Sequence, residues 1–453
     1  MTLAQQIVAV ATAKTAIKTA IELKGVPVGN SALSTYATKI GEIAGNAYAR
    51  PADWLTLPVL VTTDSKFVGL HKVIGAYADS NMVAIKAAGN YTVDWGDGSA
   101  LENVNANVTA QHIYDFANTY LGAETSAGWK QAIVIVTPQA GQTFTVLSLQ
   151  VKHSQVGTAT YSAGWVDIAV SGSLLSNLFI GSSDIYGSKV VGMGCLVQAA
   201  CVNSNLTTTA YMFNNCHSLA SVLSFKGSFF WASTSYMFNY CYSLASVPLF
   251  NLASVTDASS MFSNCHSLVS VPSFNLAVAT TVASMFNNCY SLPTVPSFAL
   301  GQVKDASSMF SDCRRLVSVP SFGFSVLTNA SYMFYDCYSL ASAPLFNFAF
   351  ATNVSGTFMM CSSLSSVPAF NLAAATSASS MFGYCSSLAK GRTTGCAKSI
   401  GYQSCGLSAT ALNDVYTGLA TVVTAQTISV AGNRGVVLAN PTIATAKGWT
   451  VLS

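Results

Sequence analysis

The chain has 453 residues, enough for about three domains of roughly 100–200 residues each. Only 8% of the residues are charged and the net charge is +3, and no basic run provides the footprint that nucleic-acid binding requires. The mean hydropathy is high at +0.44, yet no apolar stretch approaches the ~18–20 uninterrupted residues of a membrane-spanning helix. We therefore expect neither a nucleic-acid partner nor membrane insertion.

Residues 1–49 are predicted to form an N-terminal helical attachment segment. An apolar stripe at helical spacing precedes a Pro–Gly turn, and a second stripe follows Ser31, which can cap another helix. The resulting hairpin is too small to hold its own core, so we favour docking to a partner over packing on the rest of this chain. The candidate attachment residues are Ile7, Val10, Ile17 and Ile21.

The first residues lack the basic n-region of a secretory signal peptide. We therefore expect synthesis and folding in a reducing cytosol.

Residues 50–159 are predicted to form a β-sandwich, because short β-prone runs alternate with Gly, Asn, Asp and Pro turns. Its main motif runs from Tyr91 to Ser99 and is followed by His112-Ile113-Tyr114. Asp94 and Asp97 could contribute to a Ca²⁺ site, which needs six to eight oxygen ligands. Two carboxylates beside glycines are more often turn formers, so we predict no metal here.

A Met-Phe-x-x-Cys block occurs eight times, with Thr357 in place of Met in the copy that ends at Cys361; the first gap is 25 residues and the six further gaps are 24. A fixed period in the twenties is typical of a solenoid, in which each coil buries its apolar residues against its neighbours. The cysteines of the blocks are Cys216, Cys241, Cys265, Cys289, Cys313, Cys337, Cys361 and Cys385.

The predicted fold is therefore mainly β with short helices: an N-terminal helical hairpin, a β-sandwich of the immunoglobulin or PKD-like kind, and a leucine-rich-repeat solenoid of about eight 24-residue coils. Residues 160–210 would be its N-terminal cap, 211–390 the repeats and 391–453 an α/β C-terminal cap. In each coil the Leu-x-Ser-Val-Pro-x-Phe part is predicted as strand and turn. The Asn-Leu-Ala…Met-Phe arm would return in helical or 3₁₀ form.

The repeat cysteines are interpreted as free, buried thiols, since one Cys at a fixed place in each coil behaves as a small hydrophobic residue. Equivalent positions would lie roughly 4.8 Å apart with parallel Cβ vectors, a geometry that does not favour disulfides. No Cys or His cluster has metal-ligand spacing, and we expect no metal and no cofactor. The state of the cysteines outside the blocks is left open: Cys195, Cys201, Cys396 and Cys405.

The residue after each repeat cysteine defines the candidate binding site. These positions should stack as a column along one edge, rich in aromatic side chains with polar tips that suit a glycan or a flat protein interface. The alternative is that the tyrosines only shield the coil edge. The candidate receptor-binding residues are Tyr242, His266, Tyr290, Arg314 and Tyr338.

No enzyme is expected. None of the five histidines lies in a nucleophile or metal motif, and acidic residues are few in the repeats. A carboxylate pair of the glycosidase kind is not excluded by the sequence alone.

Three resemblances add to these expectations. The Met-Phe-x-x-Cys-x-Ser-Leu-x-Ser-Val-Pro core resembles BspA-type leucine-rich repeats of bacterial surface proteins. The Tyr91–Gly98 motif with His112-Ile113-Tyr114 resembles PKD-type domains. The opening Ala13–Val26 segment and the closing Ile443–Val451 segment resemble parts of tailed-bacteriophage virion and tail-fibre proteins.

Together these resemblances imply a non-enzymatic virion protein, attached to the particle by its N-terminus and binding the host surface through the repeats. Its partners would be other virion proteins and a host cell-surface glycan or protein, with self-association left open. One alternative is a purely structural decoration of capsid, neck or tail. Another is a bacterial cell-surface adhesin, which the missing export signal disfavours.

Overall fold

The computed structural model describes residues 51–61, 63–75, 81–151, 153–155, 164–180, 198–204, 206, 209–225 and 231–453. The predicted helical hairpin lies outside these ranges, together with its candidate attachment residues Ile7, Val10, Ile17 and Ile21. Within the described ranges the chain is mainly strand and turn. Its two α-helices there are α1, Ala409–Gly418, and α2, Thr442–Thr445.

The first eleven strands form two sheets. A seven-stranded sheet has the order β11-β10-β8-β1-β6-β3-β4, and a four-stranded sheet has the order β5-β2-β7-β9. The strands are β1 Lys66–Val73, β2 Met82–Ala87, β3 Tyr91–Asp94, β4 Glu102–Val104, β5 Thr109–Ile113, β6 Lys130–Pro138, β7 Val146–Ser148, β8 Trp165–Gly172, β9 Asn177–Phe179, β10 Gln198–Ser204 and β11 Ser221–Phe225.

Strand β1 occupies the centre of the seven-stranded sheet and is buried on both faces over most of its length. Trp165 at the start of β8 closes over it, with its ring edge-on to Phe67 at 5.2 Å between centroids. A Cβ at Gly69 would meet the Trp165 ring at 2.4 Å, so only glycine fits between the two strands.

Strand β8 has an antiparallel neighbour on one side and a parallel neighbour on the other. It runs antiparallel to β1 and parallel to β10, which in turn runs parallel to β11. One continuous sheet therefore connects the strands of the N-terminal region to the start of the parallel repeats.

The repeats form a parallel stack, which we call the repeat stack (residues 231–390). Isolated parallel bridges join equivalent residues 24 positions apart, such as Asp257 with Thr281 and Thr281 with Asp305. In the Met-Phe segment the backbone N–H groups alternate between two acceptors. The Phe262 N–H donates to Met285 O in the next repeat at 2.9 Å, whereas the Met261 N–H donates to Ala258 O in its own repeat at 3.3 Å.

This alternation needs a left-handed residue at two places in every repeat. Ser260 has φ 55° and Asn264 has φ 60°, and the pattern recurs at Ser284 and Asn288 with φ 56° and 59°. A helix of L-residues does not contain such positions. The segment is therefore a ribbon of tight turns, hydrogen-bonded to the ribbon of the next repeat.

The fold-class prediction is wrong. The two α-helices of the described ranges both lie beyond residue 408, and between 231 and 390 the Met-Phe arm has neither helical nor 3₁₀ form. The predicted repeat strand is also largely missing, because Pro in each Val-Pro pair ends the ladder after one bridge. What the described residues contain is a turn-based parallel stack and open sheets, not leucine-rich-repeat coils with a strand and a helical arm.

The interior of the stack consists of aligned columns of identical side chains. Phe238, Phe262 and Phe286 stack at 5.5 and 5.6 Å between ring centroids, and Tyr402 continues this column beyond Phe382 at 4.9 Å. Each repeat cysteine from Cys241 to Cys385 donates its thiol to the carbonyl of a phenylalanine, and the Cys265 Sγ to Phe238 O distance is 3.1 Å. The eight repeat cysteines are free and buried, and so are Cys396 and Cys405.

The C-terminal region continues the stack with β12 Phe370–Asn371 paired to β13 Thr393–Thr394 and a parallel sheet of three strands. Those strands are β14 Ile400–Gly401, β15 Gln426–Ser429 and β16 Trp449–Leu452. Helix α1 begins after Ser408, whose side chain caps it by accepting a hydrogen bond from the Ala411 N–H. Its buried face packs into the same core as the repeats.

Candidate functional site: an aromatic column on the repeat stack

The predicted column exists as a continuous ladder of stacked rings. His217 lies on Tyr242 at 4.7 Å between ring centroids, Tyr242 on His266 at 4.6 Å, and His266 on Tyr290 at 4.5 Å. The interplanar angles are 19° to 20°. Each of these residues follows a buried cysteine, so the 24-residue register of the core also sets the register of the column.

Arg314 extends this column with a planar cation. Its guanidinium carbon lies 4.8 Å from the centre of the Tyr290 ring and 5.7 Å from that of Tyr338, which places it between two tyrosine faces. The Arg314 Nη2 is 3.2 Å from Asp312 Oδ1 and 4.0 Å from Asp336 Oδ2. The five predicted receptor-binding residues therefore lie together in one row.

The two ends of the column differ in accessibility. Tyr242, His266 and Tyr290 are half-buried because their faces cover one another. Tyr338 is 41% exposed, and the next two column positions are Ser362 and Ser386, which have no ring to place on it. The outer face of Tyr338 and the adjoining Arg314 are thus the parts of the column that a ligand can reach.

The electrostatics of the column depend mainly on Arg314. Burial lowers the pKa of His217 and of His266 below the ordinary histidine value, so both rings are neutral at pH 7. A neutral His266 between two tyrosines contributes stacking without charge. Positive charge in the row is therefore concentrated beside Tyr338.

Two carboxyl groups next to Arg314 were missed by the sequence reasoning. Asn239, Asn264 and Asn288 form a side-chain ladder, with Asn288 Nδ2 donating to Asn264 Oδ1 at 2.9 Å. Asp312 and Asp336 hold the next two positions of the 24-residue register that contains Asn264 and Asn288. The sequence did contain a signal for them, because two successive repeats have aspartate where the two repeats before them have asparagine.

The Asp336 carboxyl has an unusual environment. Burial, and after it the neighbouring Asp312 carboxyl, raise the pKa of Asp336, against an opposing hydrogen bond with Tyr338. The Oδ1 atom of Asp336 is buried without a hydrogen-bond partner. Asp312, Arg314, Asp336 and Tyr338 therefore form one cluster of interacting side chains at the exposed end of the column.

The Tyr91–Ser99 motif has turn geometry. Asp94 Oδ1 accepts a hydrogen bond from the Gly96 N–H at 2.9 Å, and Asp97 Oδ1 accepts one from the Ser99 N–H at 3.1 Å. The other Asp97 oxygen is 2.9 Å from His112 Nε2. Both carboxylates are thus used to hold the turn and its neighbouring strand. Over the described residues no group of three or more His, Cys, Asp or Glu side chains converges as metal ligands would.

Among the residues that the structure describes, no helix is long and apolar enough to cross a bilayer.

One family model matches the repeats. It is described as a Mycoplasma protein of unknown function, DUF285, and it matches residues 200–295, 232–348 and 295–394, which is less than half of the chain. No curated protein matches the sequence.

Proposed function

We propose that this protein is a non-enzymatic virion component of a tailed bacteriophage that contacts the host surface through its repeat stack. The observation that supports this most is the stacked column, which ends at the accessible pair Arg314 and Tyr338. A regular row of rings on a rigid stack offers repeated, ordered contacts rather than a reaction centre. Aromatic residues and arginine are also the side chains most often found as anchors of binding surfaces.

The column restricts how a receptor is bound. Tyr242 and His266 have both faces covered by neighbouring rings at 4.5–4.7 Å, and Tyr290 lies between His266 and Arg314, so these rings offer only edges and polar tips. A glycan ring or a protein side chain that needs a flat partner would bind at Tyr338, over Ser362. The proposal therefore gives Arg314 and Tyr338 the main role, and Tyr242, His266 and Tyr290 a supporting role.

The test is binding of the full chain to whole host cells. The double variant Arg314→Ala/Tyr338→Ala should lose saturable binding by at least about tenfold, because it removes the ring face and the charge together. Tyr384→Ala is the matched control, since this tyrosine is 47% exposed and lies outside the column. A shortened chain beginning at residue 160 would be unsuitable, because β8 would lose its partner β1.

Two results would contradict the proposal. One is no binding of the folded chain to host cells combined with binding to virus particles, which would favour a structural decoration role. The other is equal binding by the double variant and the wild type, which would remove the column from the interface.

A further inference from the structure

The last repeat departs from the others at a single place. Six repeats carry a Ser- or Thr-initiated Val-Pro-x-Phe or Ala-Pro-x-Phe run, as in Ser366–Phe370. One period later the same positions read Lys390-Gly391-Arg392-Thr393-Thr394, and Lys390 forms a parallel bridge with Ser366. Two cations therefore stand two residues apart in this run, whereas only 8% of the residues of the whole chain are charged.

The glycine in this run has a packing reason. A Cβ at Gly391 would meet Leu388 Cδ2 at 3.0 Å and Tyr402 Cε1 at 3.4 Å, and the Tyr402 hydroxyl donates to Gly391 O at 2.7 Å. Tyr402 therefore packs directly against the backbone of Gly391. Packing does not account for the two cations, because Lys390 is exposed and Arg392 is half-exposed.

Both cations line a cavity of about 590 Å³ between the last repeat and helix α1. This is within the range of roughly 300–1,000 Å³ that small-molecule sites occupy. Its walls combine the small apolar side chains Val367, Ala369, Ala389 and Ala411 with the hydroxyls of Ser408 and Thr410.

The charge in the cavity is positive but partly compensated. Asp414 on α1 is the acidic residue of the lining, and its Oδ1 is 3.2 Å from Arg392 Nη1. Arg392 Nε is itself buried without a hydrogen-bond partner, so Asp414 satisfies the guanidinium only in part. Lys390 forms no ion pair with Asp414 or with any other acid in the described residues.

We propose that this cavity binds an acidic monosaccharide unit, with its carboxylate at Lys390 and Arg392 and its ring against the alanine and valine walls. Guanidinium groups bind carboxylates through paired hydrogen bonds, which favours a carboxylate over a neutral sugar. The hydroxyls of Ser408 and Thr410 suit the hydroxyls of the same ring. The site is separate from the aromatic column and does not rest on the proposed function.

The test is calorimetric titration of the full chain with glucuronate, and with glucose as the neutral match. Glucuronate should bind at least about tenfold more tightly than glucose, and Arg392→Gln and Lys390→Gln should each remove most of that difference. Lys304→Gln is the control for a general loss of charge, because Lys304 is exposed elsewhere on the stack. Asp414→Asn should tighten glucuronate binding, a gain that an unfolded variant could not produce.

The source of the sugar is distinguished by a second ligand. Methyl glucuronide has a substituted anomeric position, as in a glycan chain. If it binds as tightly as free glucuronate, the ligand is a terminal glycan residue. If only free glucuronate binds, the ligand is a free sugar acid. Equal affinity for glucose and glucuronate would overturn the proposal. So would unchanged glucuronate affinity in Arg392→Gln, or no measurable glucuronate binding.

Discussion

The thiol of Cys289 donates a hydrogen bond to the carbonyl oxygen of Phe262, one repeat earlier, at 3.1 Å. The same carbonyl accepts the N–H of Cys265 at 3.2 Å. Each such carbonyl therefore links two repeats, and the cysteine acts as a small core residue and also as a donor between repeats.

Thiol protection follows from this arrangement. Burial raises the pKa of the Cys265, Cys289, Cys313 and Cys337 thiols, and only a thiolate is reactive. Of the 12 cysteines in the chain, ten should resist iodoacetamide in the native protein and react fully in urea: the eight repeat cysteines, Cys396 and Cys405. Mass spectrometry of peptides after a short labelling pulse measures this. Rapid native labelling of any of the ten would contradict the buried ladder.

His71 should make the protein sensitive to acid. It is fully buried with neither ring nitrogen hydrogen-bonded, and burial lowers its pKa from 6.5 to about 3. Its neutral form is favoured in the folded state, so stability is complete above pH 6.5 and decreases as the pH falls from there to about 3. The loss amounts to up to about 5 kcal/mol.

Urea unfolding at several pH values between 7 and 4 measures this slope. The variant His71→Asn does not titrate in this range, so it should have a lower free energy of unfolding at pH 7 but a shallower decrease toward acid. Parallel curves for the variant and the wild type would exclude His71 as the cause.

Asp336→Asn should stabilise the protein at neutral pH. The raised pKa of Asp336 means that the folded state favours its protonated form, so stability is lost as the pH rises through that pKa. An asparagine amide would donate to Asp312 as Asn288 donates to Asn264, for a gain of about 1 kcal/mol.

Urea unfolding of Asp336→Asn at pH 7 and at pH 4 measures this gain, which should be smaller at the lower pH. Asp257→Asn is the matched control, because Asp257 accepts a turn hydrogen bond from the Ser259 N–H at 2.9 Å. A stability loss in Asp336→Asn at pH 7 would show that the ionised carboxylate is preferred beside Arg314.

Ser308→Gly should be neutral or stabilising by up to about 1 kcal/mol, because Ser308 has φ 53° and glycine adopts this conformation without strain. Gly356, with φ 62°, is the natural example at the equivalent position. Ala283→Gly changes a residue of ordinary conformation in the ribbon of the preceding repeat and should cost about 1 kcal/mol. Thermal unfolding of the two variants compares them directly. Equal destabilisation by both would argue against the left-handed turns.

The column was predictable because register alone determines it. Once the cysteines repeat every 24 residues, Tyr242, His266 and Tyr290 must share one edge. The ribbon between them was not predictable in the same way. Apart from Gly356 and Met360, its left-handed positions are occupied by Ser, Asn, Asp and Tyr, as at Ser260 and Tyr332, and not by the glycines that normally signal such a conformation.

The pairing of strands that are distant in the sequence was the other feature that could not be predicted. The apolar run around Ile168 reads as a strand, but nothing in its pattern reveals that it lies between β1 and β10. The cavity at Lys390 and Arg392 was missed for the same reason, since its second wall comes from α1. Local sequence identifies a strand or a cation, whereas its partner depends on how distant segments pack.

The continuous sheet from β1 through β8 to β11 has an evolutionary consequence. Its parallel strands β10 and β11 precede the repeats, and the sheet that contains β16 follows them. Interior repeats contact only their neighbours, so whole units could be gained or lost by duplication or deletion of the coding sequence without redesign of either end. Each such event would lengthen or shorten the exposed surface by one step, and change how far the protein reaches while leaving its terminal contacts intact.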